Sequence, residues 1–258
     1  MLPLERLRYL ARYDGDDRAL VEEVADCLAD FDDDPAQLVL VCRRLLAHHP
    51  VNGPLWWLCA RVVGAGDPAR AAVDAMRAVE RDRTVERLTA VLPFPHDEAI
   101  VVLGWPEATG AALAQRPDLD VVVVRPDRPD AGLRARLGGA DRSVRMVDLT
   151  EAMAVEASHL LVEVHATSPT TALVPAGLAD LRWGLPDAAL WLVAPIDRIL
   201  PERLLEVMQT GIDETDSDAV EVVALGDVAR IAGPGGLDSA ERFVTRLDCP
   251  LAPELLRR

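Results

Sequence analysis

The stretch AIVVLGWPEATGAALAQRPDLDVVVV, residues 99–124, decides the fold class. Two apolar runs, 99–103 and 119–124, bracket a helical stretch at 107–115. Runs this uniformly apolar predict strands covered on both faces of a sheet. A strand, a helix and a second strand in so little chain make a parallel crossover unit. Working outward, similar runs recur at 143–147, 160–164, 188–193 and 219–225, with helices expected at 130–137, 149–156, 170–182 and 201–209. The fold class that follows is α/β. Residues 93–258 form a Rossmann-like, mostly parallel sheet with helices on both faces.

Residues 1–92 read instead as a helical domain. In RALVEEVADCLAD, residues 18–30, Leu20, Val21, Val24, Cys27 and Leu28 recur at helical spacing. Asp34-Pro35 and Asp67-Pro68 are helix starts, an acidic cap followed by proline in the first turn. Asn52-Gly53-Pro54 is a turn and cap, and Thr84 is expected to cap a short final helix. PFPHDE, residues 93–98, is polar and proline-rich and marks the boundary.

A chain of 258 residues can bury about 70–75% of its extended surface, so it needs no disulfide or metal to hold a core. Asp plus Glu number 43 against 27 basic residues, a net charge of −16. A field of that sign repels phosphate backbones and excludes a broad nucleic-acid-binding surface. Every basic residue is Arg and there is no Lys. Lysine Schiff-base chemistry, an ordinary P-loop and a protein kinase are excluded with it. Cys27, Cys42, Cys59 and Cys249 form no C-x-x-C pair and read as core thiols in a reducing compartment. No charged leader precedes an apolar segment, and no apolar run is long enough to span a bilayer. A cytoplasmic protein without membrane contact is expected.

Ligands of open α/β sheets lie beyond the carboxyl ends of the strands, so the loops there carry the candidate residues. Gly104, Thr109 and Gly110 open the first helix after a strand, where amides can meet a phosphate, although Pro106 removes one donor and Glu107 repels an anion. Arg125 and Arg128 follow the second strand, and an arginine fork suits phosphate. Asp127 and Asp130 compete for both. Asp148 reads as a helix cap or a ribose acceptor. Glu163 and His165 share a strand face but are too few for a metal site. Thr167 and Ser168 add hydroxyls, and Asp197-Arg198 lies in the loop after the next apolar run. Trp56-Trp57 reads as packing or an interface. No metal or cofactor is expected.

The order of these segments resembles the family of the translation initiation factor 2B alpha, beta and delta subunits. That family includes methylthioribose-1-phosphate and ribose-1,5-bisphosphate isomerases. VVLGWPEATG (101–110) lies where the family has a strand and phosphate loop, and RPDRPDAG (125–132) resembles its E-x-R-P…G segment through Arg128, Pro129 and Gly132. Asp148 resembles the aspartate that opens the helix after the third strand. In LLVEVHATSPTTALVPAG (160–177), Gly177 matches the family pattern and His165 stands where the isomerases carry a catalytic Asp. The isomerases also need a cysteine in this part, and none lies between Leu92 and Asp248, so the resemblance implies that the family's acid-base pair is absent. The resemblance implies a divergent bacterial member without the catalytic residues. It would be a noncatalytic or regulatory protein, homodimeric through its α/β part, binding a small phosphorylated ligand such as a sugar phosphate or nucleotide. Trp183, Leu185 and Trp191 are candidates for buried contacts within the core or between chains. The alternatives are a sugar-phosphate isomerase with a nonstandard site built on His165 and Asp148, and a protein-interaction module built on the helical part without a ligand.

Overall fold

Each of the three proline signals opens a helix. The computed structural model describes residues 3–13, 17–30, 34–92, 99–126, 133–138, 144–213, 219–243 and 248–256. Its N-terminal part comprises α1 (Pro3–Leu10), α2 (Asp17–Ala29), α3 (Pro35–His48), α4 (Gly53–Val63), α5 (Pro68–Glu80) and α6 (Thr84–Val91). The side chain of Asp34 accepts from the Ala36 and Gln37 amides, that of Asn52 from Leu55, and that of Asp67 from Arg70. Each cap satisfies an otherwise orphaned amide and contributes about 1 kcal/mol. The last helix departs from expectation: Asp82, not Thr84, supplies the acceptor. Its Oδ1 takes the Thr84 amide at 2.9 Å and the Thr84 hydroxyl at 2.7 Å. The 93–98 boundary segment lies outside the described residues.

The chain continues through β1 (Ala99–Leu103), α7 (Glu107–Ala114), β2 (Asp120–Val124), α8 (Leu133–Gly138), β3 (Val144–Val147), α9 (Leu149–Ala152) and β4 (Ala157–Glu163). It then forms β5 (Ala166–Thr167), β6 (Thr171–Pro175), α10 (Leu178–Gly184), β7 (Ala189–Val193), α11 (Glu202–Asp213), β8 (Val220–Ala224), β9 (Arg230–Gly233), β10 (Gly236–Asp238) and α12 (Ala240–Phe243). Seven strands make one sheet in the order β10-β9-β7-β4-β1-β2-β3. All neighbours in it are parallel except the antiparallel edge pair β9–β10.

The uniform apolarity of the central strands has the expected cause. Ile100 and Val102 pack on one face with Val121, Val123, Leu88 of α6 and Leu92 just after it. Val101 and Leu103 pack on the other with Val122, Leu160, Val162 and Leu181 of α10. Both sets are removed from water, at roughly 1.5–3 kcal/mol per large aliphatic side chain.

Two expectations need correction. The 219–225 run is a strand, but β8 pairs antiparallel with β6 in a separate three-stranded sheet, β5-β6-β8. The 170–182 segment begins as β6 and becomes helical only from Leu178. There Leu173 pairs with Val222 and Val174 with Glu221, so partners distant in the sequence decide a segment whose local pattern is ambiguous.

The helical part does not close its own core. Leu20, Val24, Leu28, Leu45, Trp56 and Trp57 share one cluster with Leu204, Leu205 and Met208 of α11 and with Leu255 near the C-terminal end. Trp56 and Trp57 are buried, at 5% and 0% exposure, which removes them as an outward interaction surface. The Trp56 indole donates to the Pro50 carbonyl at 3.1 Å, and the Arg61 guanidinium lies over the Trp57 ring. Cys27, Cys42, Cys59 and Cys249 are free and buried.

One close approach seats the helical part on the sheet. A Cβ at Gly53, the first residue of α4, would lie 1.9 Å from the His165 carbonyl oxygen and 3.1 Å from the Ala166 Cβ. No side chain fits there, because the obstacle is backbone. Gly53→Ala should therefore destabilise the chain by about 3 kcal/mol through overpacking, read as a lowered urea midpoint, although alanine favours the helical conformation.

Candidate functional site

After β1 the chain runs outward through β2 and β3, then returns to place β4 on the other side of β1. The strand order reverses between β1 and β4, and crevices at such reversals are where open α/β sheets take ligands. Glu163 ends β4 at this point. The β1–β4 register pairs Val102 with Leu161, which sets Glu163 level with Gly104 just beyond β1.

The Glu163 side chain is 1% exposed. Its Oε2 accepts from the Thr109 backbone amide at 2.8 Å and from the Thr109 hydroxyl at 3.0 Å. Its Oε1 lies 3.1 Å from Arg198 Nη2, a charge contact without hydrogen-bond alignment. Arg198 Nη1 donates to the Val164 carbonyl at 2.9 Å. One carboxylate thus ties the end of β4 to the first turn of α7 and to the 3-10 turn after β7. Burying such a pair is costly unless both charges are held. In the same 3-10 turn, the Ile196 amide donates to Asp82 Oδ2 at 2.8 Å, which fixes the α5–α6 junction against the strand ends. Asp197 beside it has an Oδ1 sealed from solvent and without a hydrogen-bond partner.

A cleft of about 780 Å³ opens above these residues, between α2, α5 and α6 on one side and α7 with the strand ends on the other. Asp17, Glu22 and Asp26 of α2, with Glu80, Asp82 and Glu86, line the helical side. Glu107, Glu163 and Asp197 line the sheet side, and Arg18 and Arg198 are the lining cations. Among the described residues, nine carboxyl groups face two guanidiniums. Arg18 spans the cleft, pairing with Glu22 at 2.8 Å and with Glu107. Burial pushes the Asp197 carboxyl up to about 6; the Arg198 charge opposes the rise, and Asp82, Glu163 and Glu107 add to it. Burial, with help from Arg198, pushes the His165 imidazole down to about 3, so it is neutral near pH 7.

No family model matches the chain, and no curated protein matches it. Solved structures do. An eIF2B translation initiation factor from Pyrococcus horikoshii OT3 superposes with a TM-score of 0.71 at 14% identity, over 94% of this chain and 98% of that one. A chain of the tetrameric eIF2B-beta2-delta2 complex from C. thermophilum gives 0.68 at 14% identity, covering 94% and 92%. The eIF-2B delta subunit of A. fulgidus gives 0.56 at 13% identity, covering 98% and 91%. The chain has the eIF2B subunit fold.

On that fold, the residues singled out in the sequence separate into three groups. Arg198 lines the cleft, and Thr109 reaches it only through Glu163. Gly104, Gly110, Thr167 and Ser168 are structural. Gly104 adopts φ +69° and donates its amide to Val124 O at 2.8 Å. A Cβ on Gly110 would lie 2.5 Å from the Trp105 indole nitrogen. The Thr167 hydroxyl sits 3.1 Å from the Thr171 carbonyl, and Ser168 Oγ accepts from the Thr170 and Thr171 amides, closing the β5–β6 turn. Arg125 is exposed and its amide donates to Val147 O; it does not line the cleft. Arg128 lies outside the described residues.

His165 and Asp148 do not meet. Asp148 follows β3, caps α9 and forms a capping box with Glu151, their amides and carboxylates paired at 2.8 and 3.1 Å. His165 follows β4, and β1 and β2 stand between the two strands. Three strand spacings separate them by roughly 14 Å. Sequence reasoning missed the acidic lining from α2 and α6. The spacing of Asp17, Glu22 and Asp26 on one helix was its only local signal, and it reads equally as a solvated face.

The two shifted groups oppose each other in acid. Folded Asp197 holds a proton between about pH 4 and 6 that the unfolded chain, near its ordinary 3.8, has already lost, so its contribution to stability grows as pH falls through that window. Folded His165 refuses, down to about pH 3, a proton that the unfolded chain takes up near 6.5, so stability is lost as pH falls. Asp197→Asn removes the first effect alone. The variant should lose more stability than the parent between pH 6.5 and about 4.5, as read from urea midpoints.

Proposed function

We propose that the protein is a noncatalytic, self-associating protein of the eIF2B subunit type, in which the fold serves assembly and small-ligand binding rather than chemistry. The observation that carries this reading is the state of Glu163. It is the carboxylate at the strand reversal, and Thr109 and Arg198 hold it, buried, in a structural bridge. A group so engaged is poorly placed to exchange a proton with a substrate, because removing its partners exposes a buried charge. The separation of His165 from Asp148 weighs against the isomerase-like alternative in the same way. The helical-module alternative loses its surface with Trp56 and Trp57 in the core.

Self-association through the α/β part is supported by α10. Leu185 and Trp191 are buried at 7% and 8% exposure, whereas Trp183 is 83% exposed. Tryptophan is among the residues most enriched at the centres of interfaces. One solved neighbour is described as a tetrameric beta2-delta2 complex, and we place a second copy of this chain against the Trp183 surface. A cytoplasmic setting belongs to the same proposal and agrees with four free, buried thiols. A phosphorylated ligand would have Arg198 and Arg18 as anchors in the cleft, each already paired with carboxylates.

Sedimentation velocity at micromolar concentration tests the assembly. The parent chain should sediment at twice its 28.0 kDa mass, and Trp183→Arg should sediment as a folded monomer. A monomeric parent chain refutes self-association, and a dimer that survives Trp183→Arg refutes the α10 surface.

A further inference from the structure

β8 is an outer strand of the three-stranded sheet and is bonded to β6 on one side. The Leu225 amide donates to the Thr170 carbonyl at 2.8 Å, and the Ala176 amide donates to the Ala219 carbonyl at 3.1 Å. Residues 219 and 225 therefore face β6. Bonding positions alternate along an antiparallel strand, so Glu221 and Val223 face β6 as well. The N–H and C=O groups of Val220, Val222 and Ala224 point the other way, to an open edge. Among the described residues no backbone group pairs with them.

Proteins ordinarily blunt such an edge with proline, a bulge, a charged side chain or a covering segment. Among the described residues β8 shows none of these. Its sequence VEVVA has no proline, and its register against β6 is unbroken. Its one charge is withdrawn: the Glu221 carboxylate accepts from the Gly177 amide at 2.6 Å and the Ala179 amide at 2.8 Å, at the start of α10. Val222 is left 49% exposed.

An open edge takes another strand, and β8 matches itself. In an antiparallel pair centred on Val222, every outward residue meets an outward residue: Val222 meets Val222, and Val220 meets Ala224. Each such pair exchanges both of its hydrogen bonds, and the contact is the same from either side, as a two-fold requires. The edge is continuous with the exposed tryptophan of α10. Glu221 ties β8 to Ala179, and Ala179 and Trp183, four residues apart, lie on the exposed stripe of that helix. Beside them Asp180 and Arg182 are exposed and opposite in charge. Two copies of this surface can set acid against base, which offsets the repulsion expected of a chain with a net charge of −16.

We propose that β8 pairs antiparallel with β8 of a second copy, joining the two three-stranded sheets into one, with Trp183 flanking the contact. The inference rests on the self-association reading and names the backbone contact that makes it.

Amide hydrogen exchange on the full chain, read residue by residue beside sedimentation, tests it. At a concentration where about nine-tenths of the chain is paired, the Val222 and Ala224 amides should exchange roughly tenfold more slowly than in the dilute monomer, since only the unpaired tenth is open to water. The Glu221 and Val223 amides, bonded to β6 in both states, are the internal reference. Val222→Pro removes an outward donor at an edge position, where proline is tolerated. It should keep the circular dichroism of the parent and sediment as a monomer. Should that variant fail to fold, the exchange rates of the parent still decide. A monomeric parent chain overturns the proposal together with self-association. A dimer whose Val222 and Ala224 amides exchange at the monomer rate overturns strand pairing alone and leaves the second copy on Trp183. A folded Val222→Pro variant that dimerises like the parent overturns strand pairing too, as does protection of both amides that persists in the dilute monomer.

Discussion

The buried Glu163 carboxylate is the constraint on which the rest of the arrangement depends. It sits at the end of β4, where the sheet reverses its strand order, and is nearly inaccessible to water. A carboxylate in that position must be paired, because desolvating a lone charge costs several kcal/mol. The pairing recruits the first turn of α7 through Thr109 and the 3-10 turn after β7 through Arg198. Once the 3-10 turn is fixed, its Ile196 amide engages Asp82, and Asp82 in turn organises the start of α6 through Thr84. A chain of hydrogen bonds and one ion pair thus joins the sheet to the helical part. Gly53 lets α4 press against the His165 carbonyl two residues beyond Glu163. The cleft is the space left between these attachments.

This arrangement separates fold from chemistry. The likeness to eIF2B subunits extends over nearly the whole chain at 14% identity or less in the solved structures described above. At such identity the shared property is the packing of apolar faces, which many sequences satisfy. The polar residues at the strand ends are not bound by that requirement. Here they form internal contacts: Thr167 and Ser168 close a turn, Asp148 caps a helix, and Glu163 holds a bridge. What remains open to a ligand is an acidic cleft whose lining comes largely from the helical part.

Much of the fold was legible because burial on both faces leaves an unmistakable run of aliphatic residues. The sequence runs 99–103, 119–124, 160–164 and 188–193 correspond to β1, β2, β4 and β7, give or take a residue or two at most ends, and 143–147 to the edge strand β3, which is only partly buried. Helix starts were legible wherever a cap preceded proline, as at Asp34, Asn52 and Asp67. Short elements were not. β9 and β10 are held by strand partners rather than by their own pattern, and their Gly-Pro-Gly-Gly link reads as a turn. β6 was read as helix because its partner β8 lies some fifty residues away. The strand-end rule directs attention to the loops, yet it could not reveal that carboxylates of α2, α5 and α6 close over them. That proximity is a property of tertiary packing between segments about a hundred residues apart, and no local periodicity encodes it.

The central claim is that Glu163, Thr109 and Arg198 form a coupled structural bridge. A double-mutant cycle on Glu163→Gln and Arg198→Met, followed by urea unfolding at pH 7, tests it most directly. Removing either partner alone strands the other in a buried site and should cost about 3 kcal/mol. Removing both should cost less than the sum of the two by more than about 1 kcal/mol. Additivity within about 0.5 kcal/mol would mean that the two residues act independently, and would contradict the account.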